Sequence, residues 1–85
     1  MIHEKKIFQI YFEKILTNEK TFEVRLGDEN YFPGDTIILK EITPEREYTG
    51  REIKKEVTYV TNTKNCDNWP KEDIKKHGLA VIGFK

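Results

Sequence analysis

The sequence predicts a mainly β domain of the α+β kind: a small barrel of about five strands with one or two short helices. Three observations point there. The 85 residues make one domain, 1–85, and a chain this short buries only about 60% of the surface its unfolded form exposes, so its core is thin. Apolar residues alternate at period two in several short runs, without the regular strand–helix–strand order of a doubly wound sheet. A closed or partly closed sheet also removes the exposed edges that a thin-cored domain tolerates badly.

Each element has its own signal. Ile2 to Ile7 can form a first strand. Phe8, Tyr11, Phe12 and Ile15 then recur at helical spacing, with no good cap before them and Asn18 as the stop. Thr21 to Leu26 is the clearest strand: Phe22, Val24 and Leu26 share one face, expected to be the core face, and Thr21, Glu23 and Arg25 share the other. Gly27 to Asn30 and Pro33-Gly34-Asp35 are turns. Thr36 to Ile42 is a strand whose Ile37-Ile38-Leu39 reads as covered on both faces. After a polar connection from Thr43 to Gly50, Arg51 to Thr61 is a third long strand, with Ile53, Val57 and Tyr59 expected on one face. Trp69 to Gly78 reads as a short helix with Pro70 at its first position, Trp69 as a plug over a barrel end, and Leu79 to Phe84 as the closing strand.

Composition narrows the setting. Charged residues reach 35%, against roughly 25% in ordinary domains, yet aromatic and β-branched residues recur from Phe8 to Phe84, which argues for a folded chain. Cys66 is the one cysteine, so no internal disulfide is available, and the first six residues lack the apolar run of a signal peptide. No run approaches the ~18 apolar residues of a membrane span. These features lead us to expect a cytoplasmic monomer. Lys plus Arg balance Asp plus Glu at 15 each, whereas binding by counterion release alone wants a basic surplus. Any nucleic-acid partner must therefore be held by a shaped pocket.

The pocket candidates lie between the helix and the strand that follows it. Asn18 to Arg25 delivers Lys20, Thr21, Glu23 and Arg25 close together, the last three on one face at spacings of about 7 Å. Arginine offers a planar fork for phosphate or for stacking on a base, and a carboxylate accepts from an exocyclic amine of a base. A charged face opposite an apolar one is also what any half-buried strand shows. Glu41 and Tyr59, from the next two strands, are further wall candidates. Tyr31, Phe32 and Trp69 lie in loops where they could stack on bases. Neither a cofactor motif nor a glycine-rich phosphate loop is present, and His3, His77, Cys66, Asp67 and Asp73 show no metal-ligand spacing.

With Lys20, Glu23 and Arg25 in this order, the segment resembles the G-x-K-x-x-E-x-R signature of the ASCH domain (activating-signal-cointegrator homology), a PUA-like family; Asn18 stands where the family often has glycine. Phe32-Pro33-Gly34-Asp35, Tyr48-Thr49-Gly50, Val57-Thr58-Tyr59 and Val81-Ile82-Gly83-Phe84 extend the resemblance, which is strongest to a short phage and bacterial subfamily of uncharacterised proteins. The resemblance implies a PUA-like barrel with a helix at one end, a cleft beside it where the signature gathers, and RNA or a nucleotide as partner. Some relatives remove an acyl group from a modified cytidine and others cleave RNA, which makes Lys20, Thr21 and Glu23 the residues a hydrolase would use. In the deacylating relatives the catalytic threonine falls where this chain has Glu23. A lysine acting as base must also lose its proton, against an ordinary pKa of about 10.4 that a nearby carboxylate does not favour. The leading expectation is thus an RNA-binding module, with an RNA- or nucleoside-directed hydrolase second and a protein-binding adaptor third.

Overall fold

A computed structural model describes residues 1–65, 75 and 77–85 of the chain. β1 (Ile2–Phe8) turns His3, Lys5 and Ile7 inward and runs straight into α1 (Gln9–Leu16). Phe8 occupies the cap position without a side-chain hydrogen bond. The helix forms because Phe12 and Ile15 come onto one face and bury it on the sheet. It stops at Asn18, whose φ of 62° is the left-handed conformation that asparagine tolerates at a helix end. The Lys20 amide then donates to the Lys14 carbonyl at 3.0 Å.

Four strands complete the fold: β2 (Phe22–Leu26), β3 (Thr36–Ile42), β4 (Tyr48–Asn62) and β5 (Leu79–Phe84), with a short 3-10 turn at Thr63–Asn65. They form one five-stranded sheet in the order β1-β3-β4-β5-β2. β1 and β3 are parallel and the other pairs antiparallel. A parallel pair needs a crossover connection, here supplied by α1 and β2. The sheet curls strongly, yet no ladder joins β1 to β2 among the described residues. The closed barrel is therefore not formed: the sheet stays open along that seam, and the Arg25 guanidinium bridges it by donating to the Lys6 carbonyl at 3.0 Å.

The interior holds Ile7, Phe12, Ile15, Ile37, Leu39, Val57, Ala80, Ile82 and Phe84, all buried. Ile38 is covered as well, so the middle of β3 is enclosed on both faces as its composition suggests. The expected helix around Trp69, and Cys66 with it, falls mostly outside the described residues.

Three expectations are corrected. β2 is turned over: Phe22, Val24 and Leu26 are about half exposed, while Glu23 is 4% exposed and Arg25 is half-buried. Register explains the inversion, because Glu23 pairs with Ile82 and Arg25 with Ala80, the residues that β5 buries. Second, Tyr59 does not share a face with Ile53 and Val57. Between Val57, opposite Phe84, and Tyr59, opposite Gly83, β4 carries one extra residue, and this bulge turns Tyr59 outward while Val60 returns to the core. Third, β4 starts at Tyr48 rather than Arg51. Its early residues alternate too weakly in hydropathy to read as a strand.

Polar groups fill the part of the interior that hydrocarbon does not reach. The buried His3 ring sits between two carboxylates, Nδ1 at 2.8 Å from Glu29 and Nε2 at 2.8 Å from Asp35. Tyr31, expected as a loop residue open to ligand, packs at 4.5 Å on His3 and is 5% exposed. Burial pushes its phenol pKa up, and its hydroxyl has no hydrogen-bond partner among the described residues. Phe32 remains exposed.

Two outcomes follow. Leu39→Ala should cost about 2–5 kcal/mol in urea unfolding, whereas Leu26→Thr, on the outer face of β2, should stay within about 1 kcal/mol; equal losses would contradict the inverted strand. The second concerns acid. Hydrogen bonds from His3 and from the Phe32 amide lower the Asp35 carboxyl from 3.8 to about 2. A depressed folded pKa contributes stability that is complete above the unfolded value and lost as pH falls through the folded one. Urea midpoints should therefore drop between pH 3.8 and about 2, and drop less steeply in Asp35→Asn.

Candidate functional site

The cleft opens where the seam between β1 and β2 meets the end of α1, and it encloses about 500 Å³. β1 contributes Lys6, Ile7 and Phe8 to its walls, α1 contributes Tyr11, and β3 contributes Ile42. Lys20 enters from the helix stop, Glu23 and Arg25 from β2, and Arg46 from the 43–47 turn. Among the described residues, four cationic side chains thus surround a single carboxylate.

That carboxylate organises the site. The Lys20 ammonium donates to Glu23 Oε1, and Arg25 Nη1 donates to Oε2 at 3.2 Å while also reaching the Lys6 carbonyl. Lys20 also lies 5.3 Å from the centre of the Tyr11 ring and 5.5 Å from that of Phe22. Each Glu23 oxygen accepts one of these bonds and keeps a second lone pair. The carboxylate can therefore still accept from a ligand without giving up either cation.

Arg46 has a φ of 68°, a conformation that costs a side-chain-bearing residue roughly 1–2 kcal/mol. The turn holds it there: its amide donates to the Thr43 carbonyl at 2.8 Å, and the Thr43 amide to the Glu47 carbonyl at 2.9 Å. Glycine is the usual residue at such a position in a three-residue hairpin loop. Here the arginine stacks over Phe8 at 5.5 Å and brings a fourth positive charge to the cleft. Sequence reasoning missed Lys6, Tyr11 and Arg46 as site residues. Arg46 left no signal beyond its place after Pro44, because its approach to the cleft depends on the hairpin folding back.

The residues singled out in the sequence divide accordingly. Lys20, Glu23 and Arg25 meet. Thr21 is exposed and does not line the cleft. Tyr59 is exposed on the outer face of β4. Glu41 is 1% exposed and fully engaged, accepting from Thr49 Oγ1 at 2.6 Å and from Arg51 Nε and Nη2 at 2.9 and 2.7 Å. Those bonds, Arg51 first, hold its pKa below the usual carboxylate range. Arg51 also reaches Glu13 on α1 and lies 4.9 Å over the Phe12 ring. Glu41 thereby ties β3, β4 and α1 together.

Comparison with known proteins places the chain in a family. Residues 2–84 match the family described as Domain of unknown function (DUF3850), and the chain belongs to it. It is 36% identical over 78 residues to an uncharacterized 12.9 kDa protein in the GpA 3′ region of Escherichia phage P2, a match covering 92% of this chain and 68% of that one. The crystal structure of hypothetical protein PH0355 shares the fold, with a TM-score of 0.69 and 22% identity over 100% of this chain and 98% of that one. No helix among the described residues is long and apolar enough to cross a membrane.

Releasing the strain at Arg46 provides a test of the site. Arg46→Gly loses a cation–π contact worth about 0.5–1 kcal/mol but removes a backbone cost of similar or larger size. Chemical denaturation should find it at least as stable as the parent chain. A clear loss would mean that Arg46 serves the fold rather than the cleft.

Proposed function

We propose that the protein binds RNA by holding one nucleotide in the cleft between β1, β2 and α1. The observation that carries this reading is the composition of the cleft: Lys6, Lys20, Arg25 and Arg46 around Glu23, with the half-exposed ring of Tyr11 beside them. A surplus of positive charge suits phosphate. A carboxylate with free lone pairs suits a base edge that presents an amine, and the aromatic wall suits stacking. The zero net charge of the whole chain fits capture by a concentrated local site better than by a basic surface. The resemblance to the ASCH signature, carried by Lys20, Glu23 and Arg25, supports the same reading. The hydrolase alternative has less to recommend it: Thr21, its candidate hydroxyl, lies outside the cleft lining, and the Lys20 ammonium is tied to Glu23.

Titration of labelled short single-stranded RNAs tests the reading. Lys20→Ala and Arg25→Ala should each weaken binding about tenfold or more. Each should also flatten the dependence of log affinity on log salt by about 0.7 per lost phosphate contact. Arg46→Gly should weaken binding while keeping its stability. Unchanged affinity in both Lys20→Ala and Arg25→Ala would overturn the assignment, and turnover of acylated cytidine or of RNA that depends on Lys20 would favour the hydrolase.

A further inference from the structure

Outside the cleft, the start of β4 has a feature that neither the core nor the cleft explains. Ile42 pairs with Tyr48 and Lys40 with Glu52, so four steps of β4 lie opposite two of β3. Thr49 to Arg51 span the stretch where β3 has only Glu41, and they bulge from the ladder. Gly50 allows this with a φ of 92°, and a side chain there would meet open space. The bulge sends Arg51 toward Glu41 and Glu13 and leaves a hollow of about 260 Å³ lined by Lys40, Tyr48, Gly50, Arg51 and Glu52.

Tyr48, a wall of this hollow, lies next to the cleft. Tyr48 is the cross-strand partner of Ile42, which lines the cleft. Its ring is 59% exposed and lies 5.6 Å from the ammonium of Lys6, also a cleft residue. An exposed aromatic ring between two hollows, with a cation against it, is the arrangement that stacks successive bases of a single strand. Charge plays a smaller part in the second hollow. Lys40 holds Glu4 at 3.2 Å, Arg51 holds Glu13 and Glu41, and Glu52 forms part of the wall.

Resting on the cleft reading, we propose that the cleft is the first of two adjacent nucleotide sites. A single-stranded nucleic acid continues from it across Tyr48 into the hollow over Gly50. The neighbouring base is held by stacking on Tyr48, with no phosphate contact of its own. The protein's ligand is then an oligonucleotide rather than a free nucleotide.

The test compares the four nucleoside monophosphates with the matching homotetranucleotide RNAs, titrated against the parent chain, Tyr48→Ala and Tyr48→Phe. At least one tetranucleotide should bind about tenfold more tightly than its monophosphate, as expected for one added stacking contact. Tyr48→Ala should lose that gain while leaving monophosphate affinity and the salt slope unchanged, and Tyr48→Phe should keep it. Equal affinity for the two probe lengths, or a gain that survives Tyr48→Ala, overturns the second site and leaves the cleft standing. Failure of every probe to bind overturns the cleft reading together with it.

Discussion

Glu23 is a buried carboxylate at the seam where, among the described residues, this sheet fails to close, and the arrangement of the cleft follows from what is needed to keep it there. An uncompensated charge in a protein interior is strongly unfavourable, and removing one partner from a buried pair typically destabilises by several kcal/mol. Glu23 is compensated from two directions. Lys20 reaches it from the helix stop, and Arg25 from two residues further along the same strand. Since Arg25 also donates to the Lys6 carbonyl, the group that neutralises the carboxylate also holds the two edges of the sheet together. A cation-lined opening follows from an unclosed seam with an acid at its base.

The same economy appears elsewhere in the molecule. With so few apolar residues, the interior is finished by polar clusters that are themselves satisfied. The Asp35–His3–Glu29 group lies beneath the start of β1, and the Glu41–Arg51–Glu13 group lies between the β3–β4 hairpin and α1. Each joins segments distant in sequence, at definite geometry. Such networks select one register over its neighbours more than they add net stability, because the desolvation of each charge offsets much of the attraction. In a fold whose long β4 carries two irregularities, one between Tyr48 and Glu52 and one at Val57/Tyr59, that selection matters.

Both irregularities place side chains that alternation alone would send elsewhere. The first leaves Tyr48 beside the cleft with open space next to it; the second turns Tyr59 away from the core. The strained φ of Arg46 does similar work in the hairpin loop. Backbone departures of this kind concentrate where a side chain must be aimed at something other than the core. Two of them, at Arg46 and at Thr49–Arg51, lie close together in the β3–β4 hairpin, on the side of the cleft that Ile42 and Arg46 line.

The elements themselves were legible in the sequence. Period-two and helical spacing marked β1, α1, β2, β3 and β5 nearly to the residue, and the helix stop at Asn18 followed from asparagine's tolerance of left-handed backbone. The convergence of Lys20, Glu23 and Arg25 was legible too, because a helix end and the strand after it keep those residues close wherever they point. Which face of β2 turns inward was not, since alternation distinguishes two faces without saying which is buried. Here pairing with Ala80 and Ile82 decided it, and sent the charged face in and Phe22, Val24 and Leu26 out. Tyr59 and Arg46 were hidden for the same kind of reason: a bulge shifts the phase of a strand, and a loop residue's neighbours are set by the chain's return path. Local periodicity by itself determined most of the described strands and the helix, while long-range register decided what the site is made of.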